Sequence, residues 1–222
     1  MIIGLVGLIG SGKDTVADYL VMTQGYHRDS FAASLKDAVA SVFGWNRNML
    51  EGLTAEARAL REVPDAWWSQ RLGRDITPRL MLQLWGTEVC RQGFHEDIWV
   101  ASLENRLRNT SSSVVISDCR FPNEIAAIKA AGGFVIEIQR GELPGWYHQL
   151  QGALLLNPGE TAPKFDLPHA SEWSWVGNPG IDIILHNDGN LEDLYVNIEL
   201  TIDSLVKSHY TDVLTEEFSN EN

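Results

Sequence analysis

The chain is poor in cysteine and in positive charge. Cys90 and Cys119 are its two cysteines in 222 residues; they form no metal-spaced motif and suit a reducing compartment, so both are read as structural. Seventeen Lys and Arg face thirty Asp and Glu, for a formal net charge of −13. That balance, with no basic stripe, argues against a general nucleic-acid-binding surface, because counterion-releasing contacts need clustered cations. An anionic substrate must then be met by local charge, so each basic residue beside a strand end becomes informative. The apolar N-terminus is short, holds glycines and lacks a basic flank, which fits neither a signal peptide nor a membrane anchor. A cytoplasmic protein with no membrane or nucleic-acid partner is expected. One histidine near one glutamate (His169, Glu172) is too little for a metal site.

What is present is organised around Gly7-Leu8-Ile9-Gly10-Ser11-Gly12-Lys13-Asp14-Thr15, directly after the apolar run Ile2 to Val6 and before a helical stripe of Val16, Ala17, Tyr19 and Leu20. A strand, a glycine-rich turn and a helix in that order make a phosphate-binding loop. The glycines free the backbone to aim successive N–H groups at a phosphate, and the helix N-terminus adds partial positive charge. Lys13 reaches the terminal phosphates of a nucleoside triphosphate. Where the common motif has a magnesium-binding Ser or Thr after the lysine, this chain has Asp14, with Thr15 next.

Along the rest of the chain, a helix to about Gln24 stops at Gly25, and a short second strand is expected near Tyr26 to Phe31. Leu35, Ala38, Val39, Val42 and Phe43 share one helical face, with Lys36 off it. From Gly44 to about Arg108 the pattern is helical and rich in tryptophan; Trp67, Trp68, Trp85 and Trp99 read first as packing. Thr77-Pro78 marks a helix start, with Leu80, Leu84 and Val89 carrying a stripe to about Arg91, and Arg79 and Gln83 on one face. Val114 to Asp118 reads as a central parallel strand ending in a carboxylate, which sets Asp118 and Arg120 on the rim where α/β sheets bind ligands. Pro122 opens a helix closed by Gly132-Gly133; Phe134 to Ile138 is a fourth strand with Arg140 just past its end. Residues 141–180 show no period and read as a lid. A last strand over Ile181 to Leu185 leads through Asn187 into a helix whose stripe is Leu191, Leu194, Tyr195, Ile198, Ile202 and Leu205, and the tail after Lys207 reads as frayed.

The ordered set Ser11-Gly12-Lys13-Asp14-Thr15, Arg79 with Gly86-Thr87-Glu88, Asp97-Ile98-Trp99, Asp118-Cys119-Arg120, His169-Ala170-Ser171-Glu172 and Asn187 to Glu192 resembles the bacteriophage deoxynucleoside monophosphate kinases, of the P-loop nucleoside monophosphate kinase superfamily. The resemblance implies a three-layer α/β P-loop kinase fold with a five-stranded parallel sheet, a helical substrate-binding insertion and a lid. On the sequence this is one kinase domain over 1–222: core 1–44, 109–140 and 181–208, insertion about 45–108, lid about 141–180 and acidic tail 209–222. It implies magnesium ATP as donor and a deoxynucleoside monophosphate (dNMP) as acceptor. Gly10, Ser11, Gly12, Lys13, Asp14 and Thr15 then hold ATP, with Asn187 near adenine. Arg79 and Arg120 hold the acceptor phosphate with help from Lys36, and Gln83 and Trp99 contact the acceptor base. Arg140 closes over the transferring group, and Asp118 and Asp14 manage Mg2+ through its water shell. Three questions stay open on the sequence: a kinase for another small phosphate ester, such as dephospho-coenzyme A or phosphomevalonate, whose kinases share the Lys-Asp ending and an Asp-x-Arg after a strand; a nucleotide switch without transferase activity; and monomer against homodimer.

Overall fold

The computed structural model describes residues 1–156, 167–168 and 170–220, the side chains of 155–156 and 208–220 excepted. His169 and the middle of the expected lid lie outside the described residues. The chain divides into two compact units, Met1–Asp29 with Ser111–Asn222, and Ser30–Thr110.

The first unit is built on five parallel strands, β1 (Ile2–Val6), β2 (His27–Asp29), β3 (Val114–Ile116), β4 (Phe134–Gln139) and β5 (Ile183–His186), in the order β2-β3-β1-β4-β5. The continuously apolar strands are those that need cover on both faces. Ile3, Leu5, Val115, Ile136, Ile138 and Leu185 pack on one face against Val16, Ala17 and Leu20 of α1 (Lys13–Gln24) and Leu194, Ile198 and Ile202 of α10 (Leu191–Asn220). Helix α8 (Pro122–Ala130), with Ile125 and Ile128 buried, packs on β1 and β4. Side chains alternate along β4, so Glu137 points away from the face that holds Ile136 and Ile138. There its buried carboxylate accepts from the Tyr147 hydroxyl at 2.7 Å and the Gln139 amide at 2.6 Å. Gly25, in the left-handed region at φ 69°, ends α1 as expected.

The second unit comprises α2 (Ala33–Phe43), α3 (Arg47–Glu51), α4 (Ala55–Leu60), α5 (Ala66–Leu72), α6 (Pro78–Leu84), a π-helical turn (Trp85–Gln92) and α7 (Ile98–Leu107). Asn46, Thr54, Asp65 and Thr77 cap four of these helices with their side chains. Its core joins Leu35, Val39 and Phe43 to Leu50, Ile76, Met81 and Trp99. This is why α2, read from sequence as core, groups with the helices that follow. Phe43 stacks on Trp45 at 4.5 Å and meets Trp68 edge-on at 4.9 Å, and the Trp68 indole donates to the Phe43 carbonyl. Most tryptophans here are packing residues; Trp67, 62% exposed, is the exception.

Several expectations are corrected. Val42, Val89 and Leu191, placed on buried stripes, are exposed. Val89 lies in the π-helical turn, whose wider winding shifts the face that a 3.6 period assigns. Val42 falls outside the narrow i, i+4, i+8 stripe of Leu35, Val39 and Phe43, and Leu191 is the first residue of α10. Residues 141–180 contain a helix that periodicity did not reveal, α9 (Gly145–Leu156), and a short 3-10 turn, Ala170–Glu172. Glycines at 145 and 152 masked α9; the full burial of Tyr147 and Leu150 fixes it. The tail continues as helix to Asn220, since adding residues to a formed helix is easy once it is nucleated. Among the described residues no helix is long and apolar enough to cross a membrane.

Tyr147→Phe tests the anchoring of α9. It removes a donor from the buried Glu137 carboxylate, and urea unfolding should show a loss of about 1–3 kcal/mol.

Candidate active site

Parallel pairing sets Ile3 and Gly4 of β1 beside Val115 and Ile116 of β3, and Val6 beside Glu137 of β4. The loops after β1, β3, β4 and β5 therefore leave one rim of the sheet, where such folds bind ligands.

The glycine-rich loop is shaped by two contacts. A Cβ at Gly7 (φ 144°) would lie 2.4 Å from the Ile138 carbonyl, and one at Gly12 (φ 104°) 2.4 Å from the Asn187 amide nitrogen. Only glycine allows both close approaches and both dihedrals. Ser11 N–H closes the turn onto the Leu8 carbonyl at 3.2 Å, while the buried Ser11 hydroxyl has no partner among the described residues. Lys13 donates to the carbonyls of Gly7 and Leu8 at 2.8 and 2.9 Å. Burial, and then the charge of Arg120, lower its pKa from 10.5 to about 8, against the opposing pull of Asp14 and Glu172. Because the folded value lies below that of the unfolded chain, protonated Lys13 opposes folding at neutral pH. That penalty fades as pH rises through about 8 toward 10.5.

Asp14, in the first turn of α1, is paired with Arg28 of β2, which also binds Asp18 at 2.6 Å and the Ser117 hydroxyl at 2.9 Å. Ser117 donates in turn to Asp14 at 3.3 Å. Arg28 was missed on the sequence. The scarcity of basic residues was the available signal, since Arg28 lies within the expected second strand.

In the loop after β3, Asp118 is half-buried and Arg120 exposed. The buried Glu124 carboxylate accepts from the backbone N–H of Arg120 at 2.7 Å and of Phe121 at 3.2 Å, which fixes this loop as it enters α8. Cys119, 1% exposed and its thiol pushed well up by burial, anchors the same loop. The Arg120 guanidinium lies 3.5 Å from the Glu172 carboxylate. After β4, Arg140 lines a cavity of about 160 Å3 with Ile9, Gly10, Ser11, Glu137 and Trp175. After β5, Asn187 is 6% exposed; its side-chain amide donates to the Ser11 carbonyl at 2.8 Å and its backbone N–H to Gln139 at 2.8 Å. The Asn187 side chain, expected near adenine, is held against the phosphate loop by this contact.

Lys13, Asp14, Ser11, Asn187, Arg140, Asp118 and Arg120 thus share the rim of the first unit. The other candidates belong to the helical unit. Lys36, mostly buried, pairs with Glu51, which Arg47 joins to Asp37. Arg79 is exposed and 3.8 Å from Glu62, and Gln83 is exposed on the same helix. Trp99 is 8% exposed and donates its indole N–H to the Gly86 carbonyl at 2.9 Å. Among the described residues no three His, Cys, Asp or Glu side chains are grouped to hold a metal ion.

A glycine-rich loop after the central strand of a five-stranded parallel sheet, a lysine at the start of the following helix and an arginine on the neighbouring rim loop define a P-loop kinase. Over 218 residues, 92% of this chain and 97% of the relative, it is 32% identical to an Acanthamoeba polyphaga mimivirus protein named as a deoxynucleotide monophosphate kinase. It is also 28% identical over 174 residues to the deoxynucleoside-5'-monophosphate kinase of Escherichia phage T5, covering 56% of this chain and 70% of that one. The chain belongs to the deoxynucleoside monophosphate kinase family. No family model matches it. Solved structures similar to it include the shikimate kinases of Aquifex aeolicus (14% identity, TM-score 0.46, 93% of this chain and 98% of that one) and Acinetobacter baumannii (15%, 0.43, 91% and 93%).

Two outcomes are expected from this geometry. Phosphates beside Lys13 restore its ordinary proton affinity, so ATP binding at pH 8.5 should take up about three-quarters of a proton and at pH 7 only about a tenth. Calorimetry in buffers of different ionisation enthalpy measures this, and Lys13→Met should abolish it. Asn187→Ala leaves the buried Ser11 carbonyl without its donor, and should weaken ATP, GTP and tripolyphosphate alike by about tenfold, or about 1.4 kcal/mol. A loss confined to ATP would mark an adenine contact instead.

Proposed function

We propose that the enzyme transfers the γ-phosphoryl group of Mg-ATP to a dNMP, giving ADP and a deoxynucleoside diphosphate for DNA synthesis. The observation that carries this reading is the placing of two cations, Lys13 and Arg120, after the adjacent parallel strands β1 and β3 at one rim of an acidic protein. Phosphoryl transfer needs little covalent help from the protein; it needs two anions held in line and their charge neutralised. Lys13 and the loop amides from Gly10 to Thr15 take the β- and γ-phosphates, and the unpartnered Ser11 hydroxyl suits a ligand oxygen. Arg120 takes the acceptor phosphate. Arg140 closes over the transferring group and excludes water, which otherwise competes as acceptor.

From the helical unit we assign Arg79 to the acceptor phosphate with Lys36 in support. Gln83 and Trp99 are assigned to the acceptor base, Trp99 through the small part of its ring that stays exposed. The carboxylates fit Mg2+, because charges so near the phosphates repel them unless a cation or its waters lie between. Asp118 would hold the ion through its water shell, and Asp14, tied to Arg28, would orient that shell. A bound ion would supply neutralisation of phosphate charge.

Arg120→Ala should weaken the acceptor by about 2 kcal/mol or more, as when one partner of a desolvated charge pair is removed, and leave ATP affinity within about twofold. The test is ADP release with each of the four common dNMPs, phosphomevalonate and dephospho-coenzyme A, with equilibrium titration of ATP. Turnover of phosphomevalonate or dephospho-coenzyme A alone would replace the acceptor class, and loss of ATP binding with the acceptor kept would exchange the roles of the cations.

A further inference from the structure

Glu172 is a carboxylate in the field of both cations, and the chemistry above gives it no task. It lies 3.5 Å from Arg120, and its charge favours the protonated form of Lys13. Its side chain is only 22% exposed. The backbone that presents it is pinned. The N–H groups of Trp173 and Ser174 and the Ser174 hydroxyl all donate to the Ala170 carbonyl, and the Trp173 indole donates to Pro168. Trp175, 1% exposed, packs against Tyr147, whose hydroxyl is held by Glu137 of β4. The carboxylate is thus delivered to Arg120 by a fixed turn and not by the chance swing of an exposed side chain.

The contact itself is loose. A guanidinium can give a carboxylate or a phosphate two parallel bonds of about 2.7–2.9 Å, and Glu172 reaches Arg120 through one oxygen at 3.5 Å. Such a pair is easily exchanged. A phosphate monoester brings more charge and a better-matched edge than a carboxylate does.

We infer that Glu172 is a positioning residue and a placeholder for the acceptor's phosphate: it keeps Arg120 aimed at the rim, and acceptor binding replaces the carboxylate with the phosphate. This rests on the reading that Arg120 serves the acceptor. The carboxylate competes with the incoming anion, so its removal strengthens binding, an effect that a merely structural role cannot produce.

The experiment measures binding of inorganic phosphate and of the dNMP with fastest turnover by calorimetry, without ATP, together with KM and kcat. Glu172→Gln keeps the size of the side chain and removes its charge. Both dissociation constants and the acceptor KM should fall about two- to fivefold, the scale of a partly exposed ion pair, without a rise in kcat. Glu172→Asp should stay near wild type. With Arg120→Ala already present, adding Glu172→Gln should change nothing further. If Glu172→Gln leaves binding unchanged or weakens it while Arg120→Ala weakens the acceptor, the placeholder role is overturned and the role of Arg120 stands. If Arg120→Ala leaves acceptor binding unchanged, the reading of Arg120 fails and this inference fails with it.

Discussion

Everything chemical in this protein depends on the parallel register of β1 with its two neighbours. With Gly4 beside Ile116 on one side and Val6 beside Glu137 on the other, the loops that carry Lys13, Arg120 and Arg140 must emerge at the same edge. Four of the strand ends contribute a side chain there, Asn187 being the fourth. A protein with thirty acidic and seventeen basic side chains thereby gathers cations in one place. Burial first, and then the charge of Arg120, lower the pKa of Lys13, so the gathering carries an electrostatic cost. It makes physical sense around anionic ligands.

A second layer of buried polar contacts holds the loops rigid. Asn187 fastens the phosphate loop through the Ser11 carbonyl, Glu124 fastens the loop of Arg120 through two backbone N–H groups, and Glu137 fastens α9 through Tyr147. Each is a polar group removed from water and satisfied by a partner distant in sequence or lying on another element, so leaving either partner alone would be costly. Rigidity of this kind matters for phosphoryl transfer, where small misplacement of in-line groups is expensive in rate. Arg28, from the edge strand β2, pairs with the largely exposed Asp14 and makes that carboxylate part of an ion-pair network.

The helical unit obeys a different logic. Its helices are short, capped by Asn46, Thr54, Asp65 and Thr77, and held by aromatic packing around Phe43. Lys36 is drawn into a charge chain with Glu51, Arg47 and Asp37, while Arg79 and Gln83 stay exposed. Of the basic residues proposed for the acceptor from this unit, Arg79 therefore has the looser existing attachment, 3.8 Å from Glu62.

The sequence by itself determined the elements whose signals are local. The strand, glycine turn, lysine and helix that open the chain, the αL stop at Gly25, the Thr77-Pro78 helix start and the apolar run at Val114 each follow from a few consecutive residues, because dihedral freedom, capping and strand burial are short-range properties. The tertiary structure alone decided what depends on partners far apart in the chain. Asn187 reaches Ser11 across 176 positions and Ser117 reaches Asp14 across 103, and no periodicity encodes either. The phase of the π-helical turn after α6, the helix α9 and the pairing of Glu172 with Arg120 belong to the same class. A hydrogen bond or a buried face is a property of two surfaces, and a linear pattern describes only one of them.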